Sequence, residues 1–152
     1  MKKLIIFCIL ILLVPFLSFS QSPQPFKKAK VILVETADSK PVAFKKIQQC
    51  FIDHDFVISH ANDKVWIIQV EEKTIDQGRY VIMVHCKGDD LTRIYLSGWI
   101  YVSAMGYTNA LNVEYRKSKD DIRRMAFDVM DTIAKSYEGG EIKYLSSGSP
   151  SI

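Results

Sequence analysis

Phe56-Val57-Ile58-Ser59-His60, followed by Asn62-Asp63, begins the stretch that decides the fold. β-Branched and aromatic residues crowd together there and two short polar residues break the run, which is how a strand and its turn read in sequence. The alternation then repeats. Val65–Val70, with an extension as far as Ile75, gives way to Asp76-Gln77-Gly78. Arg79–Cys86 gives way to Lys87-Gly88-Asp89-Asp90, and Thr92–Ser103 completes the series. Each break is short and rich in Asn, Asp and Gly, so consecutive strands turn back on one another. An antiparallel meander of four strands is the expectation.

Upstream, Val31-Ile32-Leu33-Val34 is a continuous apolar run, the pattern of a strand buried on both faces or lying centrally. Thr36–Pro41 carries turn and cap chemistry: Asp38 or Ser39 is placed to accept the first helical N–H groups, and Pro41 suits a first helical turn. A helix from about Pro41 to Asp53 then buries Phe44, Ile47 and Phe51, with Lys45, Lys46, Gln48 and Gln49 on its wet side. Downstream, Ala104–Lys117 reads either as a loop or as an irregular strand containing Leu111 and Val113. Ser118-Lys119-Asp120-Asp121 opens a second helix whose stripe is Ile122, Met125, Ala126, Val129, Met130, Ile133 and Tyr137. Gly139-Gly140 stop it, and Glu141–Leu145 alternates like a short closing strand. Two amphipathic helices need one face of one sheet. The expected fold class is therefore α+β: a two-layer sandwich, antiparallel sheet with two helices on one face, in the order β-α-β-β-β-β-α with or without a short final strand.

The N-terminus has the three-part layout of a secretory signal: Met1-Lys2-Lys3, an apolar core from Leu4 to Phe16, and small residues at Ser18 and Ser20. That core is too short for a stable membrane span. Expected boundaries are a signal peptide over 1–20 with cleavage near Ser20-Gln21, a flexible leader over 21–28, one α+β domain over 29–145 and a disordered tail over 146–152. Export to the periplasm or beyond follows. Ile6 and Phe7 precede Cys8 where a lipoprotein signal needs a small residue, which argues against a lipid anchor. Lys2 and Lys3 leave with the signal, so the net charge of +3 falls to +1 and no basic balance remains to argue for nucleic acid. About 130 residues remain, enough for a single core, with no later stretch apolar enough to span a membrane.

The element order resembles the TATA-box-binding-protein-like fold (β-α-β4-α), in the single-copy form of small exported proteins of Gram-negative bacteria, and more narrowly uncharacterised exported proteins of Bacteroidetes type. The similarity rests on Val31–Glu35, on Phe51-Ile52-Asp53-His54-Asp55-Phe56-Val57-Ile58, and on Ala134–Tyr144. Asp55 stands where the family's pattern has a glycine at the helix end. The resemblance implies a fold and no catalytic motif, least of all DNA binding.

Chemistry-bearing constellations are scarce. His54, His60 and His85 with Asp53, Asp55 and Asp63 show no ligand spacing on one element, so no metal and no cofactor is expected. There is no G-x-S-x-G, glycine-rich phosphate loop or H-E-x-x-H, and the chain is expected not to be an enzyme. Arg116, Lys117, Arg123 and Arg124 form a basic cluster that Asp120, Asp121 and Asp128 interleave. Cys50 and Cys86 share the core side by parity. A disulfide between them is geometrically allowed in an oxidising compartment and would be worth ~3–4 kcal/mol, the alternative being two small buried thiols.

The sharper feature is the other side of the sheet. If Trp66, Ile68, Val70, Ile82, Val84, Ile94, Leu96 and Ile100 face the helices, the opposite parity carries Ile67, Val81, Met83, Tyr95, Trp99 and Tyr101. A one-sided sheet is ordinarily polar there, and clustered aromatics mark a contact surface. Three readings stand: the face meets another protein or a second copy, the 104–117 segment folds over it, or it binds a small ligand or glycan. We favour the first, an exported non-enzymatic protein-interaction or envelope-assembly domain, with a small-ligand or glycan-binding periplasmic domain as the alternative. Nucleic acid is not an expected partner.

Overall fold

The structure, a computed structural model, describes residues 21–75, 78–104 and 107–146. Among these the chain forms nine strands and two helices. In chain order they are β1 (Gln21–Ser22), β2 (Val31–Thr36), α1 (Lys40–Asp53), β3 (Ile58–Asn62), β4 (Ile67–Val70) and β5 (Lys73–Ile75). Then come β6 (Gly78–Lys87), β7 (Thr92–Ala104), β8 (Tyr107–Asn112), α2 (Ile122–Ser136) and β9 (Gly140–Leu145). All strands join one antiparallel sheet in the order β1-β9-β2-β7-β6-β4-β3. The α+β class and the antiparallel sheet match the expectation. The strand count does not: β1 is additional to it, β5 is the separated end of the strand expected to reach Ile75, and β8 takes up the strand reading of 104–117.

The long β6–β7 hairpin is the spine. Ten consecutive pairs run from Gly78↔Val102 to Lys87↔Arg93, closed by Gly88 at φ +94°. Each outer side of the hairpin is shared by two short strands set end to end. Along β6, β4 pairs with Met83–His85 and β5 with Gly78–Tyr80. The register slips by one residue between them, at Glu71-Glu72, so Ile68 and Val70 face the core before the break and Lys73 and Ile75 after it. This is the work of a bulge, which re-aims every side chain beyond it. The expected long strand to Ile75 is thus present, but interrupted. It also starts later, because Val65 and Trp66 lie in the turn and Trp66 takes a positive φ of 57°.

Along β7, β2 pairs with Thr92–Leu96 and β8 with Trp99–Ala104. Residues 107–112 therefore extend the sheet edge-on and do not fold over its face, which overturns the covering-segment reading for them. Met105 lies outside the described residues. β2 is hydrogen-bonded to β9 on its other side, so Val31–Val34 is central and buried, as its unbroken apolar run requires.

Both helices bury their apolar residues in one cluster with the even-numbered residues of β2, β4, β6, β7 and β9. Phe44, Ile47 and Phe51 enter it from α1. From α2 come Ala126, Met130, Ile133 and also Phe127 and Ala134, while Met125 is exposed. The stripe of α2 is therefore rotated by part of a turn from the expected one. Close approach between sheet and helix falls at Gly98, where a Cβ would lie 2.7 Å from the Val81 carbonyl oxygen and 3.5 Å from Met130 Sδ.

The caps differ in detail. Ser39 sits at the N-cap of α1 without a side-chain cap bond, and Asp38, the other expected cap, is engaged elsewhere: Lys46 Nζ and Tyr137 Oη donate to its Oδ2 at 2.7 and 2.8 Å. α2 starts later than expected. Its cap is Asp121, whose Oδ1 accepts the Arg123 N–H at 2.9 Å, and Ser118 holds only the preceding turn. At the end of α1, Asp55 adopts φ 60°. The Asp55 N–H donates to Ile52 O at 3.0 Å and the Phe56 N–H to Phe51 O at 3.0 Å, which is a Schellman closure. An aspartate thus performs the left-handed turn for which the resemblance expected a glycine.

Gln21–Lys28, expected as a leader without structure, instead carries β1, paired Gln21↔Leu145 and Ser22↔Tyr144, and packs Phe26 against the core. The expected signal peptide over 1–20 and the tail from residue 147 lie outside the described residues.

Candidate functional site

Strand parity sorts the side chains of the spine into two sets, and the cross-strand register builds the far face row by row. One row runs Asn112–Trp99–Val81, the next Ala110–Tyr101–Arg79–Thr74. Towards the other end, Ser97–Met83–Gln69 is followed by Lys143–Leu33–Tyr95–His85–Ile67 and then by Glu141–Glu35–Arg93–Lys87. All six residues singled out by sequence, Ile67, Val81, Met83, Tyr95, Trp99 and Tyr101, therefore share this face.

They are not equally available. Trp99 is 36% exposed, whereas Val81, directly opposite it, is only 6% exposed and is withdrawn from any contact surface. Ile67, Met83, Tyr95 and Tyr101 are half-buried. Polar residues separate them, Ser97 between Tyr95 and Trp99 and His85 between Tyr95 and Ile67, so the patch is a mixed surface with aromatic rings spaced along β7. Burial, and then the Lys87 charge, lower the pKa of His85 from its ordinary value, which favours the neutral ring.

A second apolar cluster on the same face was not foreseen as such. Val31, Leu33 and Leu145 are buried there, with Tyr95 packed against them. Its signal was present in the unbroken Val31–Val34 run and in the alternation of Glu141–Leu145. Beside it the far face ends in charge. Glu35 accepts from Arg93 Nε at 2.9 Å and from Lys143 Nζ, and Lys143 lies 3.5 Å from Glu141. Lys143 first and Arg93 second hold the Glu35 carboxyl below its ordinary pKa.

Two cavities open elsewhere. One, of about 220 Å³, lies between the ends of the helices and is lined by Lys46, Cys50, Asp53 and Tyr137 among others. The other, of about 290 Å³, is lined by Ser22, Pro23, Glu141 and Lys143. Neither is lined by Trp99, Tyr95 or Tyr101.

The two cysteines are buried free thiols, and no bridge joins them. Burial pushes the Cys86 thiol up to about 12. His54 caps α1 and His60 is exposed on β3. Among the described residues, no three His, Cys, Asp or Glu side chains gather as a metal would require. The three arginines of the basic cluster are paired: Arg116 with Glu114, Arg123 with Asp121 and Arg124 with Asp128, and Arg124 also stacks 3.9 Å over the Tyr115 ring. No helix of the described residues is long and apolar enough to cross a membrane. No family model matches the chain, and no curated protein matches it in sequence.

Proposed function

We propose that this chain is an exported, non-enzymatic protein-interaction or envelope-assembly domain that works through the far face of its sheet, its partner being another protein or a second copy. The observation that carries this reading is Trp99, 36% exposed in the middle of β7, with Tyr101 at the next position on the same face and Tyr95 beyond Ser97 on its other side. Large, stiff, amphipathic side chains on a face that carries no helix are what a contact surface uses, since burying them releases much apolar area at small entropic cost. The same reading takes the fold as a two-layer sandwich of TATA-box-binding-protein-like type. Support for that comes from the single cluster shared by both helices and from the pairing of β2 with β7 across the sheet.

The test is the solution mass of residues 21–152 by light scattering over a concentration series, with and without reductant. Association that Trp99→Ala weakens, and that reductant leaves alone, supports the proposal. A species that stays monomeric, with no far-face partner captured, removes it. Quenching of Trp99 fluorescence by a saccharide or small aromatic would instead favour the ligand-binding alternative.

A further inference from the structure

The edge strands of this sheet are protected unequally. β3 is broken by a bulge between Ile58 and His60, β1 is two residues long, and β5 is three residues long with its Lys73 Nζ tied to Asp55 O at 2.7 Å. Bulges, brevity and lysines are the usual means of preventing a sheet edge from pairing with another chain. β8 has none of them. It is six residues long, exposed at every position, and reads Tyr-Thr-Asn-Ala-Leu-Asn, without charge or proline. It ends a run of twenty residues, Ile94–Val113, that contains no charged side chain. Among the described residues, no strand and no backbone hydrogen bond occupies its outer side.

We propose that β8 is the seam of a homodimer, in which the β8 strands of two copies pair antiparallel about a two-fold axis and continue the sheet from one copy into the other. An unpaired strand edge asks for extended backbone, and a second copy presents the same unfilled edge. Neutrality selects the self-pair. With the axis at Ala110, Ala110 faces the partner's Ala110, Asn109 faces the partner's Leu111 and Thr108 faces the partner's Asn112, and no like charges meet near the axis. A foreign strand would have to be recognised by an edge that offers no charge to discriminate with. With the axis normal to the sheet, both far faces look the same way, so the Asn112–Trp99–Val81 rows of the two copies approach the seam from either side. This inference rests on the reading of the chain as an association module, but it places the self-contact at the edge and leaves the far face to other partners.

The experiment compares the purified protein with Ala110→Lys, Ala110→Glu and Trp99→Ala by light scattering. Hydrogen exchange of residues 107–112 is followed at low and high concentration. The expected results are a dimer, protection of those amides that appears only on concentration, and a dissociation constant raised about tenfold or more by either charged substitution. An equimolar mixture of the two charged variants should associate again, because the lysine introduced at 110 in one copy faces the glutamate introduced at 110 in the other. A protein monomeric at all concentrations overturns the proposal. So does a dimer whose 107–112 amides exchange equally at both concentrations. A dimer dispersed by Trp99→Ala and untouched by the two edge variants transfers the contact to the far face and overturns the seam alone.

Discussion

Val81 and Trp99 stand directly opposite each other across the β6–β7 ladder, the one covered and the other 36% exposed. One pair thus divides two tasks, packing and presentation. Val81→Ala should lower the unfolding free energy by about 2 kcal/mol, the ordinary cost of truncating a buried branched side chain. Trp99→Ala should cost less stability and more association. Urea unfolding and light scattering on the same two variants separate the effects. Equal losses of stability would mean that Trp99 is core, not surface.

Asp55 is a second place where one substitution decides. Its φ of 60° is strained for a residue with a Cβ and free for glycine. The Schellman closure around it is held by backbone bonds and by Phe56 packing edge-on against Phe51, ring centroids 5.8 Å apart. Asp55→Gly should therefore stabilise the fold by up to ~1 kcal/mol, read as a raised urea midpoint at unchanged slope.

Acid should weaken the fold through three carboxylates. Lys143 and Arg93 hold Glu35 below its ordinary pKa of 4.5; Lys46 and Tyr137 hold Asp38, and Arg123 holds Asp121, below 3.8. With the folded values depressed, the contribution of each group is complete above its ordinary pKa. It is lost as pH falls from there through the lower folded value. Urea midpoints measured from neutral pH downward should drop across that range. Glu35→Gln should flatten the drop, and salt near 1 M should shrink it, since Arg93 is exposed to solvent.

Thiol chemistry should be silent in the native state. Cys86 is buried with its pKa pushed up to about 12, so almost none of it is thiolate, and Cys50 is shielded from a reagent by its burial. A thiol-reactive chromophore should label neither in native protein from residue 21 onward and both after denaturation without reductant. Zero labelling after denaturation would mean that the two are bridged.

Much of the fold was legible because burial periodicity is a property of the residues themselves: the spacing of Phe44, Ile47 and Phe51, the parity of Ile82 and Val84, the unbroken Val31–Val34. What sequence did not disclose are features set by pairing. The slip at Glu71-Glu72 depends on how β4 and β5 lie against β6. β8 carries Thr, Asn and Asn in place of apolar alternation, and is a strand only because β7 extends beyond β2 and offers it an edge. Phe127 stands outside the stripe that the spacing from Ile122 predicts, because the buried face of α2 is set by the sheet beneath it. The six far-face residues followed from parity. The burial of Val81 did not, since it depends on what stands across the ladder.

The position of β2 has a consequence for how the chain comes into being. Its two neighbours are β7, which begins at Thr92, and β9, which begins at Gly140. Val31–Val34, an unbroken apolar run, is thus made early and paired on its second side only by some of the last residues to be synthesised. Until residue 145 has emerged, the chain has a bare apolar strand and no way to close over it. Such a polypeptide stays open until its C-terminal end arrives and locks only then. A product truncated ahead of Gly140 would be left with that strand as an unguarded edge.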